Sequence, residues 1–244
     1  IEVLPYTRHY QYLITLNPRV PALRQPAIRR ALNAAVDRDA LIRDGLGGHG
    51  IPSLGAIWPK HWALQDGVPT FAFDPVSATA AVEQYTQTLG QGRQGILRFT
   101  CLVAAADERM ALVLKRQLEA IGVEMSVQEA PVADIGRARQ TGNFEAILGE
   151  VIGGPNVFRS YVWWHSKGSR NSGVYASSAV DAALDTVRHA TSDADYRAGV
   201  LRFQEAILDD PPAVFLAWGE RARAISRRFD VPDRPGVDIL GTLR

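Results

Sequence analysis

The chain has 244 residues, of which 46% are hydrophobic and 22% charged, an ordinary composition for a globular protein with a large core. Its formal net charge of +1 gives no case for nucleic acid or an anionic membrane as the partner, because long-range attraction needs an excess of charge. No apolar run approaches the roughly 20 residues that span a bilayer.

The first residue and the single cysteine add two further expectations. The chain starts at Ile1 without an initiator methionine and shows no secretory signal pattern, so we expect a fragment of a longer protein. Cys101 is the single cysteine, which excludes an internal disulfide and leaves the redox compartment open.

A strand and two helices are predicted first along the chain. Side chains alternate between apolar and polar over residues 10–16, which predicts a strand that an Asn-Pro pair closes. Pro26 suits the first position of a helix, and Asp37 suits the cap of a second helix that ends in glycines. Apolar residues three and four apart predict the buried face of the first helix: Ile28, Ala31, Leu32, Ala35 and Val36. The opposite side carries Arg29, Arg30 and Asn33.

A long loop is predicted over residues 51–68, followed by a helix. The loop carries Trp58, which we interpret as part of a binding surface, and Trp62, which we expect to cover the edge of the core. Asp74 and the following proline begin the helix, which is expected to continue to Gly90.

Between residues 96 and 150 the hydrophobic period alternates between that of strands and that of helices. This alternation predicts βαβ units with right-handed crossovers, and it makes Cys101 a buried, unreactive thiol. The predicted elements are a strand over 96–103, a helix over 107–121, a strand over 123–127, a short helix around Ile135 and a strand over 144–148.

The C-terminal part begins with an irregular stretch over residues 151–175. Two amphipathic helices are then predicted over 180–187 and 193–207, and a strand over 214–218, followed by a segment from Arg221 to Val231.

No sequence motif indicates catalysis. G-x-S-x-G, a P-loop, H-E-x-x-H and paired C-x-x-C are all absent, and GLGGHG does not follow a convincing strand. The five histidines are scattered, and His49 and His61 are the pair closest to a metal-site pattern. We therefore predict neither an enzyme nor a cofactor.

The stretch "RxALNxAVDRDALI" followed by "GLGGHGIPSLGAIWP" closely resembles the extracellular solute-binding proteins of family 5. These are the peptide, dipeptide and nickel receptors of ABC importers. The segment "FAFDPxxAxAxVEQ" and the two C-terminal helices are also similar to the family pattern, so the resemblance runs from about Tyr10 to about Val231.

The resemblance implies an α/β fold, a type II periplasmic-binding-protein-like lobe with a mixed β-sheet flanked by helices. It implies three parts: 1–9 as the entry from a missing first lobe, 10–218 as the second substrate-binding lobe, and 219–244 as the return segment. The partners implied are a peptide or other small polar solute, the missing lobe, and the membrane permease of an importer, in the periplasm or outside the cell. Solute is expected at the lobe interface, between the loop around Trp58 and the segment 150–156.

Candidate ligand-binding residues combine aromatic area with groups that pair with carboxylates and peptides. Because Trp163 and Trp164 are adjacent, one of them is expected in the core. The family's Trp-x-x-Asp stretch, which pairs with a peptide amino group, is replaced here by residues 150–155 without the Asp, and Glu150 is the candidate substitute. The candidates are Trp58, Glu150, Val151, Asn156, Trp163, Trp164, His165, Arg170 and Asn171.

Two other functions stay open from the sequence. The first is a cytoplasmic effector-binding domain of a bacterial transcription regulator, since some regulators fuse a DNA-binding helix-turn-helix to a family-5-like sensor. The second, weaker alternative is an adapted enzyme that uses His165.

Overall fold

The structure is a computed structural model that describes residues 1–65, 67–89, 95–171 and 175–229. Its helices are α1 (Pro21–Arg24), α2 (Pro26–Ala34), α3 (Arg38–Gly45), α4 (Pro75–Gln87), α5 (Glu108–Glu119), α6 (Val132–Thr141), α7 (Phe158–Trp164), α8 (Ser178–His189) and α9 (Asp193–Asp209). Its strands are β1 (Glu2–Leu16), β2 (Gly50–Pro52), β3 (Leu97–Val103), β4 (Val123–Glu129), β5 (Ala146–Ile152) and β6 (Ala213–Ile225).

These strands form one mixed sheet in the order β2-β6-β1-β5-β3-β4. The predicted βαβ arrangement is confirmed, because β3 pairs in parallel with both β4 and β5. The other pairings, β5 with β1, β1 with β6 and β6 with β2, are antiparallel. Two antiparallel long strands therefore join a parallel unit to the edge strand β2.

Helices cover both faces of the sheet, and β1 separates two cores. Tyr12, Ile14 and Leu16 point to one face, called face A, where they pack with residues of α2, α4 and α5. Leu13 points to the other, called face B, where it packs with the loop 56–71 and helices α7, α8 and α9. Side chains of one strand alternate between faces, so these two cores follow from the period of two in β1.

Helix α2 buries more of its surface than its pattern predicts. The apolar face is buried as expected, and on the opposite side Arg29 and Asn33 are buried as well, 3% and 0% exposed, whereas Arg30 is exposed. Asn33 Nδ2 donates to the Ala213 carbonyl at 2.9 Å, and its Oδ1 accepts from the Phe215 N–H at 3.0 Å. Arg29 Nε donates to the Pro211 carbonyl at 2.7 Å. Both polar side chains thus satisfy backbone groups at the start of β6.

Helix α3 begins as predicted. The Asp37 carboxylate accepts a hydrogen bond from the Ala40 N–H at 2.9 Å, which is the expected N-cap. After the helix, Gly47 and Gly48 have φ of 64° and 85°, a left-handed conformation that glycine adopts without strain.

Cys101 lies in the centre of β3 and is fully buried. Burial raises the pKa of its thiol to about 12, so the thiolate that reacts with electrophiles does not form at neutral pH. The prediction of a buried, unreactive thiol is confirmed.

Several element boundaries differ from the predictions. Strand β1 begins eight residues earlier than expected, and β6 continues to Ile225 instead of ending at 218. The predicted loop 51–68 starts inside the edge strand β2, and the irregular stretch 151–175 contains helix α7. Gly90 and Val231 lie outside the described residues. In the described ranges no helix has the length and apolarity that crossing a bilayer requires.

Candidate functional site

Glu150 lies near the end of β5 and is the centre of a group of charged side chains. It pairs with Tyr12 across the sheet, so both side chains point to face A. Arg8 Nη1 lies 3.6 Å from Glu150 Oε2, and Arg221 Nη2 lies 3.6 Å from Glu150 Oε1. Arg221 Nη2 also contacts the Tyr12 hydroxyl at 3.4 Å. Three strands, β1, β5 and β6, therefore bring these charges together.

Asp107, which follows β3, adds a second carboxylate to this group. Burial and the Glu150 charge raise the pKa of Asp107, while Arg221 lowers it. Burial and the same carboxylate raise the pKa of Tyr12 to about 12, so the hydroxyl stays protonated. We call Arg8, Tyr12, Asp107, Glu150 and Arg221 the Glu150 cluster.

One oxygen of the Glu150 cluster has an unused capacity to accept a hydrogen bond. Glu150 Oε1 is buried and has no hydrogen-bond partner in the part of the chain that the structure describes. A buried carboxylate oxygen without a donor is costly, so a group that donates to it gains a charge-assisted hydrogen bond. Two guanidinium groups beside it can donate to a carboxylate or a carbonyl.

Trp58 lies on the other face of the sheet from Glu150. Its ring meets the rings of His9 and Trp218 edge to face, with centroids 4.9 and 5.0 Å apart, and 8% of its surface is exposed. Trp218 pairs with Gln11, the neighbour of Tyr12, which puts these rings on face B. The interpretations of Trp58 as the surface ring and Trp62 as the covered one are thus reversed, because Trp62 is 53% exposed.

The segment after β5 packs directly against Trp58. A Cβ on Gly154 would lie 3.4 Å from the Cβ of Trp58, so the backbone at Gly154 packs closely against this residue. A Cβ on Gly153 would lie 2.7 Å from the Trp218 ring. The N–H groups of both glycines donate to the His9 carbonyl, at 3.0 and 3.3 Å. The glycines that replace the family's acidic stretch therefore allow close backbone packing.

The candidates around α7 divide into two groups. Trp164 is 5% exposed and packs on Phe215, so it is the core member of the tryptophan pair. Trp163 is half-buried, and its indole N–H donates to the Ile152 carbonyl at 3.1 Å. Together with Arg170 it lines a small cavity on face B.

His165 and Asn171 have partners within the chain. The buried ring of His165 stacks on Tyr161 at 4.2 Å, and its Nδ1 accepts from the Lys167 N–H at 2.9 Å. The Asn171 amide donates to the His165 and Tyr175 carbonyls at 3.1 and 2.6 Å, and it accepts from the Tyr175 N–H. Both side chains hold the loop after α7 in place.

The remaining candidates lie at the end of β5 and just beyond it. Val151 is buried on face B, whereas Asn156 is exposed and starts the turn into α7. The histidine pair is not brought together as ligands, since His49 lies 3.4 Å from Glu220 on the surface and His61 stacks on Tyr196. Across the described ranges no three His, Cys, Asp or Glu side chains form a group that could hold a metal.

Sequence reasoning missed four members of the Glu150 cluster: Arg8, Tyr12, Asp107 and Arg221. The alternation that identified β1 placed Tyr12 on one face, but only the pairing register of three strands shows that Glu150 meets it. That register includes irregularities between Thr7 and Gln11 and between Tyr12 and Leu13, which no local pattern reveals.

Residues 2–173 match the family model described as bacterial extracellular solute-binding proteins, family 5 Middle. Protein XP55 of Streptomyces lividans is 31% identical over 217 residues, which are 84% of this chain and 39% of XP55. CtaP, an ABC transporter substrate-binding protein from Listeria monocytogenes, has a TM-score of 0.83 at 19% identity, covering 95% of this chain and 48% of CtaP. The oligopeptide-binding protein AppA from Bacillus subtilis, solved with a nonapeptide, has a TM-score of 0.75 at 19% identity over 91% of this chain and 47% of AppA.

The chain thus spans less than half the length of these relatives. Its mixed sheet flanked by helices is the type II periplasmic-binding-protein-like fold expected from the sequence. Members of the family are periplasmic or extracellular receptors of peptide- and nickel-type ABC importers, and they bind their solutes without transforming them. With residues 2–173 matching the family model, the chain belongs to family 5 of the bacterial extracellular solute-binding proteins.

Proposed function

We propose that this chain forms the second lobe of an ABC importer receptor and that its Glu150 cluster contacts the solute. The observation that carries the proposal is Glu150 Oε1 at the end of β5, which is buried and accepts no hydrogen bond within 3.5 Å among the described residues, with Arg8 and Arg221 as its ion-pair partners. This arrangement suits a small polar solute that offers both an amino group and a carboxylate or carbonyl, and a short peptide has both.

The proposed lobe comprises residues 10–218, with 1–9 entering from a first lobe and 219–244 returning to it. Strand β5 pairs with β1 only from Tyr10 to Leu16, whereas Glu2 to Thr7 pair with β6 alone. The described parts of both connecting segments therefore run side by side as a two-stranded ribbon beyond the main sheet. A ribbon of this kind supports a hinge, because bending it disturbs few other contacts.

The aromatic and polar candidates around α7 have a secondary place in the proposal. Asn156 and Arg170 are exposed and Trp163 is half-buried. In the proposal their side chains can contact a solute that a first lobe holds against this one. Trp58, Trp164, His165 and Asn171 act by supporting the loops, since their contacts within the chain are extensive.

The test is calorimetric titration of the complete receptor that carries this lobe with short oligopeptides. We expect binding of peptides with a free amino group, and Glu150→Gln is expected to weaken it about 10- to 100-fold through loss of one charge-assisted hydrogen bond. The same peptides with an acetylated amino group should bind the two proteins alike.

Glu124→Gln provides the matched control, because Glu124 lies on the edge strand β4, is half-exposed and pairs with Arg98. It should leave affinity unchanged. Equal affinity of wild type and Glu150→Gln for free-amino peptides would refute the role of Glu150. Failure of every oligopeptide, together with tight binding of another solute class, would remove the peptide assignment.

A further inference from the structure

A small cavity on face B contains two arginines and no described acid. It lies among Thr15, Arg139, Trp163, Arg170, Asn171 and Tyr175, and the space open to the centre of a water molecule is about 10 Å³. That space accommodates one particle about the size of water. Across the described residues, no carboxylate oxygen lies within 4.0 Å of Arg139 or Arg170.

Arg139 is half-buried and makes one side-chain hydrogen bond among the described residues. Its Nη1 donates to the Thr15 hydroxyl at 3.0 Å, and its Cζ lies 5.7 Å from the centre of the Trp163 ring. Buried Arg38 is the internal comparison, since it donates to four backbone carbonyls. Arg139 has five N–H donors and uses one of them on a protein oxygen in the described chain.

The electrostatics around Arg139 are unfavourable without a counter-ion. Burial and the nearby charge of Arg170 together lower the pKa of Arg139 to about 10, so Arg139 is still cationic at neutral pH. The charge of the exposed Arg170 repels that of Arg139, and the partial burial of Arg139 makes this repulsion stronger than it would be in water.

The other polar groups at the cavity do not supply the missing acceptor. The Asn171 side-chain oxygen already accepts from the Tyr175 N–H at 3.1 Å. The Tyr175 hydroxyl donates to the Asp210 carbonyl at 2.5 Å. The two guanidinium groups therefore keep N–H donors that face the cavity, and an anion accepts hydrogen bonds from such donors more strongly than a neutral group does.

We propose that this cavity is a binding site for a small monovalent inorganic anion of halide size, held between the guanidinium groups of Arg139 and Arg170. The size of the space favours a single-atom anion over a larger oxyanion. The anion accepts hydrogen bonds from the guanidinium groups, and its charge offsets their repulsion. The anion thereby connects α6, which carries Arg139, to the loop after α7, which carries Arg170.

The anion site is distinct from the Glu150 cluster and does not depend on it. Thr15 and Leu16 line the cavity at the end of β1, whereas Tyr12 and Arg8 of the Glu150 cluster precede them on the strand. Thr15 points to face B and Tyr12 to face A, since their positions in β1 differ by an odd number. The proposed anion is thus a structural ligand of the lobe and not the transported solute.

The test measures thermal unfolding of the chain while sodium bromide replaces sodium isethionate at constant ionic strength, up to about 200 mM. The melting temperature of the wild type is expected to rise by about 2–4 °C, because bromide binds the folded state. This rise should be lost in Arg139→Gln and, if that variant does not fold, in Arg170→Gln, whose side chain is exposed.

Arg137→Gln is the control on the same helix, since Arg137 is exposed and pairs with Asp134 at 3.0 Å. It should keep the full bromide-dependent rise. Bromide-soaked crystals should also show an anomalous scattering peak between Arg139 and Arg170. An equal bromide response of the Arg137 and Arg139 variants, or crystals with water alone in the cavity, would overturn the proposal.

Discussion

Arg38 is held in the core mainly by backbone carbonyls, with one longer contact from its Nη2 to Asn33 Oδ1 at 3.5 Å. Its guanidinium group donates to Ser53 O at 2.8 Å, Phe215 O at 2.9 Å, and the carbonyls of Val36 and Asn33 at 3.2 Å. Burial lowers its pKa to about 10, so the side chain remains charged at neutral pH. The planar fork of arginine reaches several acceptors in fixed directions, which the single ammonium group of lysine cannot do.

We therefore expect Arg38→Lys to lower the free energy of unfolding by about 2–4 kcal/mol, because two or more buried carbonyls lose their donors. Urea unfolding followed by circular dichroism measures this change. Arg43→Lys, on the exposed end of α3 beside Asp44, should leave the unfolding midpoint unchanged. A variant at Arg38 as stable as the wild type would show that water replaces the lost donors.

The raised pKa of Asp107 predicts a pH-dependent penalty in stability. The folded state holds its proton more tightly than the unfolded state, so the contribution of Asp107 is most favourable below pH 3.8 and is lost as the pH rises through the folded pKa. Asp107→Asn should therefore raise the melting temperature at pH 7, and this gain should shrink toward zero below pH 3.8. Thermal unfolding across that range measures the effect, and an equal gain at both ends would rule out titration as the cause.

At the scale of elements, the segment after β5 is constrained by a tryptophan ring on β6, the strand on the far side of β1. Trp218 is fully buried, and a Cβ on Gly153 would approach its Cη2 to 2.7 Å. The indole has no room to move away, so the backbone would have to shift.

Gly153→Ala is expected to cost about 1–3 kcal/mol of stability through overpacking. It should also change the near-ultraviolet circular dichroism of tryptophan. Gly136→Ala is the matched control, because a Cβ there meets nothing within 4 Å and α6 gains helix propensity. Denaturant unfolding should move the two midpoints in opposite directions, and a loss in both would exclude the Trp218 contact as the specific cause.

Helices and strands whose apolar residues repeat regularly over several turns or positions were predicted well. The burial of individual polar or aromatic residues was not. The cap at Asp37 and the βαβ unit follow from local sequence, which explains their agreement with the structure. The burial of Asn33 could not be predicted, because its partners lie on β6, about 180 residues away along the chain. Trp58 and Trp62 lie in a loop whose apolar residues follow no regular spacing, so nothing in the local sequence distinguishes the buried ring from the exposed one.

At the scale of the whole molecule, the fold could be predicted from family resemblance, whereas the geometry of the site could not. Glu150 was identified as a candidate from one departure in a family motif. Its neighbours Arg8 and Arg221 come from strands at opposite ends of the chain, and their meeting depends on antiparallel register with a bulge. Contacts of that kind are set by tertiary pairing, which a pattern of residue types does not encode.

The pairing of Glu2 with Ile225 has a practical consequence for protein engineering. Antiparallel partners have Cα atoms about 4.5–5.5 Å apart, so a linker of a few residues could join the end of β6 to the start of β1. The lobe is accordingly well suited to circular permutation, with new termini opened in the exposed connection between α8 and α9. The lobe could likewise be inserted into a surface loop of another protein, because its two ends lie close together and would both connect to that loop.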